Sequence, residues 1–455
     1  MKFTRVFAFM ALAGLAGSAY ATNGYFGYGY GMKAKGMAGA STASSDSAFG
    51  GANNPASMAF AGNRLDLGVD LFSPIREASR TGSAGSGGVG DPGRDFSADS
   101  DSNYFLVPEF GYNKMVNPNL ALGVTVYGNG GMNTDYPGTS INSGVTGFCD
   151  ADGSGGPTPA DMGSFNALCG KGSLGVDLMQ LIVAPTVAYK IAPNHSIGIS
   201  PLLGYQRFKA EGLHAFMGFS SAPNNLTNNG YDNAFGYGVR VGYMGKITPT
   251  VTIGAAYASK MKFEEFDKYR GLFAEQGDFD IPENYNLGVA WQATPAVKLA
   301  LDYQRINYTG VASVSNPLLP NLETALLGNN SGAGFGWDDM NVWKLGMEYK
   351  YSKQLTLRAG YSHTDSPIKS ASLAECEAEL LANCSETTFN IIAPAVIENH
   401  VTLGFTYALA SGNELTVAYM HGFKNDVSGP GAVLGGTEKI QMYQNSLGIQ
   451  YSWKM

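Results

Sequence analysis

Charge is scarce in this chain. Lys, Arg, Asp and Glu make up only 15% of its 455 residues, and 37 acids outweigh 29 bases to leave a net charge of −8. Without a basic cluster, nucleic acid is excluded as a partner. Long apolar runs are lacking too. Beyond residue 21 none approaches the roughly 20 residues that a membrane helix requires. The few histidines (195, 214, 363, 400 and 421) are scattered, with no catalytic or metal-ligand spacing, and the four cysteines fit no zinc pattern. We therefore expect no enzyme activity, no metal and no cofactor.

Glycine and aromatic side chains are abundant instead, at 61 glycines and 12% Phe, Trp and Tyr, a composition suited to strands and turns. The first 21 residues read as a secretory signal peptide: Lys2 and Arg5, an apolar run from Val6 to Ala16, and Ala19-Tyr20-Ala21 as a small-x-small cleavage site. An uncleaved anchor is the alternative. In an exported chain the cysteines fall into two local pairs, Cys149 with Cys169 and Cys376 with Cys384, although four cysteines permit three connectivities.

From Asn63 onward the chain keeps one grammar. Fourteen runs of about ten residues alternate apolar with polar or small side chains, the period of a strand. Leu65, Leu67, Val69 and Leu71 share one face of the first, with Asp66 and Asp70 opposite. Leu447, Ile449, Tyr451 and Trp453 mark the last, opposite Gln444 and Gln450. Alternation alone fits both a soluble sandwich and a membrane barrel. The connections favour the barrel. Short turns such as Asn117-Pro118-Asn119 and Thr248-Pro249 alternate with long loops, predicted near 73–101, 132–175, 211–232, 264–280, 309–340, 365–396 and 426–440. Tyr and Trp recur near strand ends, as interfacial girdles require, and the terminal aromatic strand is the kind of signal that barrel assembly machinery reads. The prediction is a 14-stranded antiparallel transmembrane β-barrel over residues 63–455, contacting outer-membrane lipid and lipopolysaccharide.

Residues 22–62 do not alternate. They are rich in Gly, Ala and Ser, and Asn54-Pro55-Ala56 reads as a capped helix start. A plug inside the lumen and a disordered tail both fit this segment. Gly-Met-Ala-Gly-Ala at 36–40, Asn54-Pro55-Ala56, Tyr127-Gly128 through Thr134-Asp135-Tyr136, Asp365-Ser366-Pro367 and Tyr419-Met420-His421-Gly422, in that order, resemble the FadL/TodX family of outer-membrane hydrophobe transporters.

The resemblance implies an N-terminal hatch over 22–62 and a monomer in the outer membrane of a Gram-negative bacterium. Ligand is caught by extracellular loops and released sideways through a kink in the third strand, where Gly128, Gly130 and Gly131 are the gate candidates. The ligand class is a fatty acid, alkane or aromatic hydrocarbon. Arg207 matches a residue that holds the carboxylate of a fatty acid. Phe208, Phe216 and Phe219 lie in apolar stretches suited to binding. Gly336-Trp337-Asp338-Asp339 places acid where a second base is expected, which leaves neutral hydrophobes open. A porin with a water-filled channel is the alternative function.

Overall fold

The computed structural model describes residues 22–83, 93–143, 149, 163–372, 375, 385–432 and 435–455. The signal peptide and the Cys376–Cys384 pairing lie outside the described residues. Fourteen strands form the wall: β1 Arg64–Thr81, β2 Phe105–Met115, β3 Leu120–Asn133, β4 Gly175–Ala192, β5 His195–Glu211, β6 Asp232–Lys246, β7 Val251–Ala258, β8 Asn284–Gln292, β9 Val297–Ile306, β10 Met340–Lys350, β11 Leu355–Thr364, β12 Asn399–Ala408, β13 Glu414–Pro430 and β14 Thr437–Lys454. Each pairs antiparallel with the next. The ring closes where β14 meets β1, from Arg64 opposite Lys454 to Thr81 opposite Thr437.

The alternation is resolved inside out. Leu403 and Phe235 are each 63% exposed, whereas Asp70 and Gln444 are fully buried at 0%. Water would invert that arrangement. Lipid permits it, because the apolar face turns to the acyl chains and the polar face lines a filled lumen. The short turns close on their own side chains. Asn117 Oδ1 accepts from the amides of Asn119 (2.8 Å) and Leu120 (2.9 Å), and Thr248 Oγ1 accepts from those of Thr250 (3.2 Å) and Val251 (3.0 Å).

Two predicted loops are partly strand. β1 runs on to Thr81, and β13 and β14 reach Pro430 and Thr437. An 18-residue strand spans about 60 Å along its axis, well beyond an apolar band of about 25 Å even when tilted. Above that band both faces of a strand can be polar, so apolar alternation fades while the hydrogen bonding continues.

Residues 22–62 pack inside the barrel, most of them buried. Asn54 caps a 3-10 turn over Pro55–Phe60, its Oδ1 accepting from the Ala56 amide at 3.1 Å while its Nδ2 donates to the Tyr243 carbonyl at 2.9 Å. Gly198 of β5 faces this turn, and a Cβ there would overlap Pro55 and Ala56. Charge anchors the other side. Lys35 Nζ lies 2.7 Å from Asp70 and 2.6 Å from Glu109, all three side chains buried. Lys33 and Arg64 both reach Glu414.

Candidate ligand path and wall opening

The long loops at one rim of the barrel fold over an apolar chamber. Phe208, on the inward side of β5, packs its ring 4.7 Å from Phe273, 4.9 Å from Tyr269 and 5.5 Å from Phe266. Phe216, in the turn His214–Phe219, meets Phe389 edge-on at 5.1 Å. Between them is a cavity lined by Val176, Leu213, Leu272, Phe335 and Ile392, with Ser313 as its polar member. Cys149 and Cys169 are bonded at 2.03 Å and buried. The chamber's edge holds a buried carboxyl, Glu386, which accepts from the Leu318 amide at 3.1 Å. Burial pushes this carboxyl up to about 7.

Two of the residues predicted to bind ligand are elsewhere. Phe219 is 39% exposed, outside the chamber. Arg207 points away from the lumen. The inward residues of β5 here are Gln206, Phe208 and Ala210, and Arg207 instead stacks its guanidinium 4.0 Å from the ring centre of Tyr231. Asp338 and Asp339 are also outside, paired with Lys369 at 2.6 Å and Arg305 at 2.7 Å. A larger concavity than the chamber lies on the outer wall, among Val187, Ile197, Val241, Tyr257 and Leu287, where lipid would cover it.

Below the chamber the path narrows to a stack of rings that the sequence did not single out. Phe279 lies 4.8 Å from Phe273 and 5.8 Å from Tyr25. Tyr25 meets Tyr308 at 5.2 Å, and Tyr308 meets Trp337 at 5.2 Å. Their polar atoms are occupied. The Tyr308 hydroxyl donates to the Asn23 carbonyl at 2.6 Å and accepts from the Tyr25 amide at 3.2 Å. Trp337 Nε1 donates to Asn390 at 2.7 Å. What remains facing the path is aromatic carbon. An aromatic pair at 25–26, inside a segment with no alternation, is the one sequence signal for this throat.

The lumen then changes character. Beneath Phe26 and Tyr30 is a polar chamber lined by Arg240, Asn284, Asn286, Asp302, Gln304 and Lys344. Asp302 Oδ2 accepts from the amides of Ser41 and Thr42, both at 2.8 Å, and Lys344 donates to Gln304 at 2.8 Å.

At the level of Phe26 the wall itself is interrupted. β2 and β3 pair only from Phe110 opposite Val126 to Met115 opposite Ala121. Above Val126, β2 stays with β1 as far as Phe105 opposite Phe72, and β3 stays with β4 as far as Asn133 opposite Asp177. No rung joins β2 to β3 there. Continued register would set Phe105 opposite Gly131, but β3 turns inward, and from Thr125 to Met132 every residue is buried. A bulge between Gly128 and Gly130 makes the bend. The upper rim closes again where the Asp101 amide donates to the Asp135 carbonyl at 2.8 Å.

The hatch takes up the hydrogen bonds that β2 leaves unmade. The Gly27 amide donates to the Asn129 carbonyl at 3.0 Å, the Tyr30 hydroxyl to the same carbonyl at 3.0 Å, and the Gly131 amide to the Tyr25 carbonyl at 3.1 Å. Gly130 is required by that approach and not by its dihedral angles, since a Cβ there would overlap the Tyr25 carbonyl.

Comparison with known proteins agrees with this geometry. Residues 164–375 match the family model described as outer membrane protein transport protein (OMPP1/FadL/TodX). No curated protein sequence matches the chain. Among solved structures, the P. putida toluene transporter TodX superimposes with a TM-score of 0.64 at 20% identity, covering 94% of this chain and 99% of that one. A Pseudomonas aeruginosa FadL homologue gives 0.63 at 14% identity, over 95% and 99%. The Ralstonia pickettii toluene transporter TbuX gives 0.58 at 16%, over 94% and 99%. At these identities the likeness establishes the fold. By the family model over residues 164–375, and by fold over nearly its whole length, the chain is similar to the OMPP1/FadL/TodX outer membrane transport proteins.

Proposed function

We propose that this protein carries hydrophobic small molecules across the outer membrane, capturing them in the loop chamber and releasing them sideways between β2 and β3. The observation that carries this reading is the missing pairing above Phe110 and Val126. A hydrophobe that reaches Tyr25 has two ways on. Downward, it would enter the polar chamber of Arg240, Asp302 and Lys344. With about 300 Å² of apolar surface it would give up roughly 7 kcal/mol on wetting. Sideways, it passes from aromatic rings to acyl chains and stays dry. A water-filled porin would need an open axial route, and the buried Lys35–Asp70–Glu109 cluster blocks that route with packed hatch.

A cystine that restores one missing rung tests the reading. Continued register sets Pro108 opposite Gly128, so Pro108→Cys with Gly128→Cys should close the opening when oxidised. Cellular uptake of a labelled hydrophobe should then fall by about tenfold and recover on reduction, with wild type under the same reductant as control. Uptake indifferent to oxidation, or a large open-pore conductance of the wild type in planar bilayers, would overturn lateral release.

A further inference from the structure

We propose that Arg76, helped by the Tyr136 hydroxyl, is an anchor for the carboxylate of a hydrophobic acid at the upper rim of the wall opening. The proposal rests on the transport reading and deepens it by naming a head-group site.

Arg76 belongs to the inward face of β1, with Asp70, Phe72, Ala78 and Arg80, and is 2% exposed. It sits where β1 loses β2: Phe72 is the last residue paired with Phe105, and the next partner strand begins only at Glu77, opposite Asp99. The other buried cations of β1 and of the segment packed inside it have counter-charges. Lys35 has Asp70 and Glu109, Arg64 has Asp66, and Arg80 has Glu438 at 2.6 Å. Arg76 makes no ion pair among the described residues. One terminal nitrogen donates to the Ser102 carbonyl, its guanidinium lies 5.9 Å from the Phe105 ring centre, and its Nε is buried without a partner. The Tyr136 hydroxyl, within electrostatic reach of Arg76, is likewise buried and unpartnered.

Burying a guanidinium without a counter-charge is costly. An orphaned Nε–H on the cation and an orphaned hydroxyl close to it ask for an anion with more than one acceptor oxygen, and a carboxylate meets both. The surroundings describe the rest of the ligand. Tyr28, Phe72, Phe105, Val107 and Met420 form an apolar cluster on the same side, and Leu106 faces outward on the adjoining strand at 55% exposure. An acid held here would keep its head on Arg76 while its tail reaches the opening.

The test measures binding of palmitate and of hexadecane to the purified full-length protein, with heat-modifiable gel mobility reporting a folded barrel. Arg76→Met should weaken palmitate by about tenfold or more and leave hexadecane within about twofold. Arg76→Lys keeps the charge without the fork and should restore only part of the loss, and Tyr136→Phe should cost about threefold for palmitate alone. Arg207→Met, on the outer face, should change neither ligand. Equal loss of both ligands in Arg76→Met, or no loss of palmitate, overturns the proposal. If Arg76→Met does not assemble, unchanged palmitate affinity in Tyr136→Phe overturns it. Loss of a co-purifying phospholipid with palmitate binding intact would assign the site to a lipid phosphate and also overturn it. Cells that take up hexadecane while palmitate ignores Arg76 would refute this site and leave the transport reading standing. Cells that take up neither would refute the transport reading itself.

Discussion

Gly130→Val puts the seal between hatch and wall under direct strain. The new Cβ would overlap the Tyr25 carbonyl and stand 3.3 Å from the Phe26 Cα, and both neighbours are backbone that cannot rotate away. Residues 25–30 must leave β3. Doing so breaks three hydrogen bonds, from Gly27 and Tyr30 to the Asn129 carbonyl and from Gly131 to the Tyr25 carbonyl. At about 1 kcal/mol net for each, these contribute roughly 3 kcal/mol. The Tyr30–Tyr127 ring contact at 4.7 Å adds about 0.5–1 kcal/mol. A loss of roughly 3–4 kcal/mol shifts the sealed–open equilibrium by two to three orders of magnitude. The wall pairs elsewhere through fourteen strands, so the barrel itself should stand. Hydrogen exchange followed by mass spectrometry reads the outcome. Amides of 24–31 should lose about a hundredfold in protection, with β10 to β12 unchanged. Protection of 24–31 equal to wild type would refute the idea that the hatch replaces the missing rungs. A loss spread over the whole barrel would show that Gly130 serves the wall instead.

Two further outcomes follow from buried charge. Lys35→Met would strand Asp70 and Glu109 together in the lumen. Removing one member of a buried ionic cluster costs about 3–5 kcal/mol, so the hatch should loosen and planar-bilayer conductance should rise above wild type; unchanged conductance would argue that the cluster does not hold the hatch. Burial raises the Glu386 carboxyl up to about 7 against 4.5 when free. Its stabilising contribution is therefore full below about pH 4.5 and lost as pH rises through about 7, a span of roughly 3 kcal/mol. The protection factor of the Leu318 amide, corrected for intrinsic exchange, should fall over that window in wild type and stay flat in Glu386→Gln; a wild type that is equally flat would count against a buried neutral acid.

The barrel was legible because its signal is repeated and local. Period 2 and the turn chemistry of Asn117 and Thr248 place fourteen strands without any knowledge of distant contacts. Arg207 is more instructive. It shares parity with Ile197, Ile199, Leu203 and Tyr205, the apolar side of the alternation in β5, so the period alone places it outside the lumen; the resemblance to a fatty-acid-binding segment pulled the other way. Arg76 was equally readable by parity with Asp66 and Asp70, but only if β1 is carried past Ser73, where its apolar alternation fades. Trp337 and Tyr308 carry no local sign at all. Their place in the throat follows from loops that meet Tyr25 across more than 280 residues of sequence, as in the bond between the Tyr25 amide and the Tyr308 hydroxyl.

The same contrast of environments that builds the fold would also give direction to the proposed transport. Each strand separates lipid from a polar lumen, so a hydrophobe inside the barrel is on the wrong side of the wall almost everywhere. Two features locally reverse this. The loop chamber and the ring stack from Phe208 to Trp337 make the upper lumen apolar, and the inward turn of β3 removes the polar backbone rungs that would otherwise separate that lumen from lipid. The polar chamber under Phe26 ends the apolar path. If that chamber were apolar, a hydrophobe would have no reason to prefer the side exit. In the proposed route the floor would therefore be as much a part of lateral release as the opening, and it would work by solvation free energy alone, with no moving part required to choose the direction.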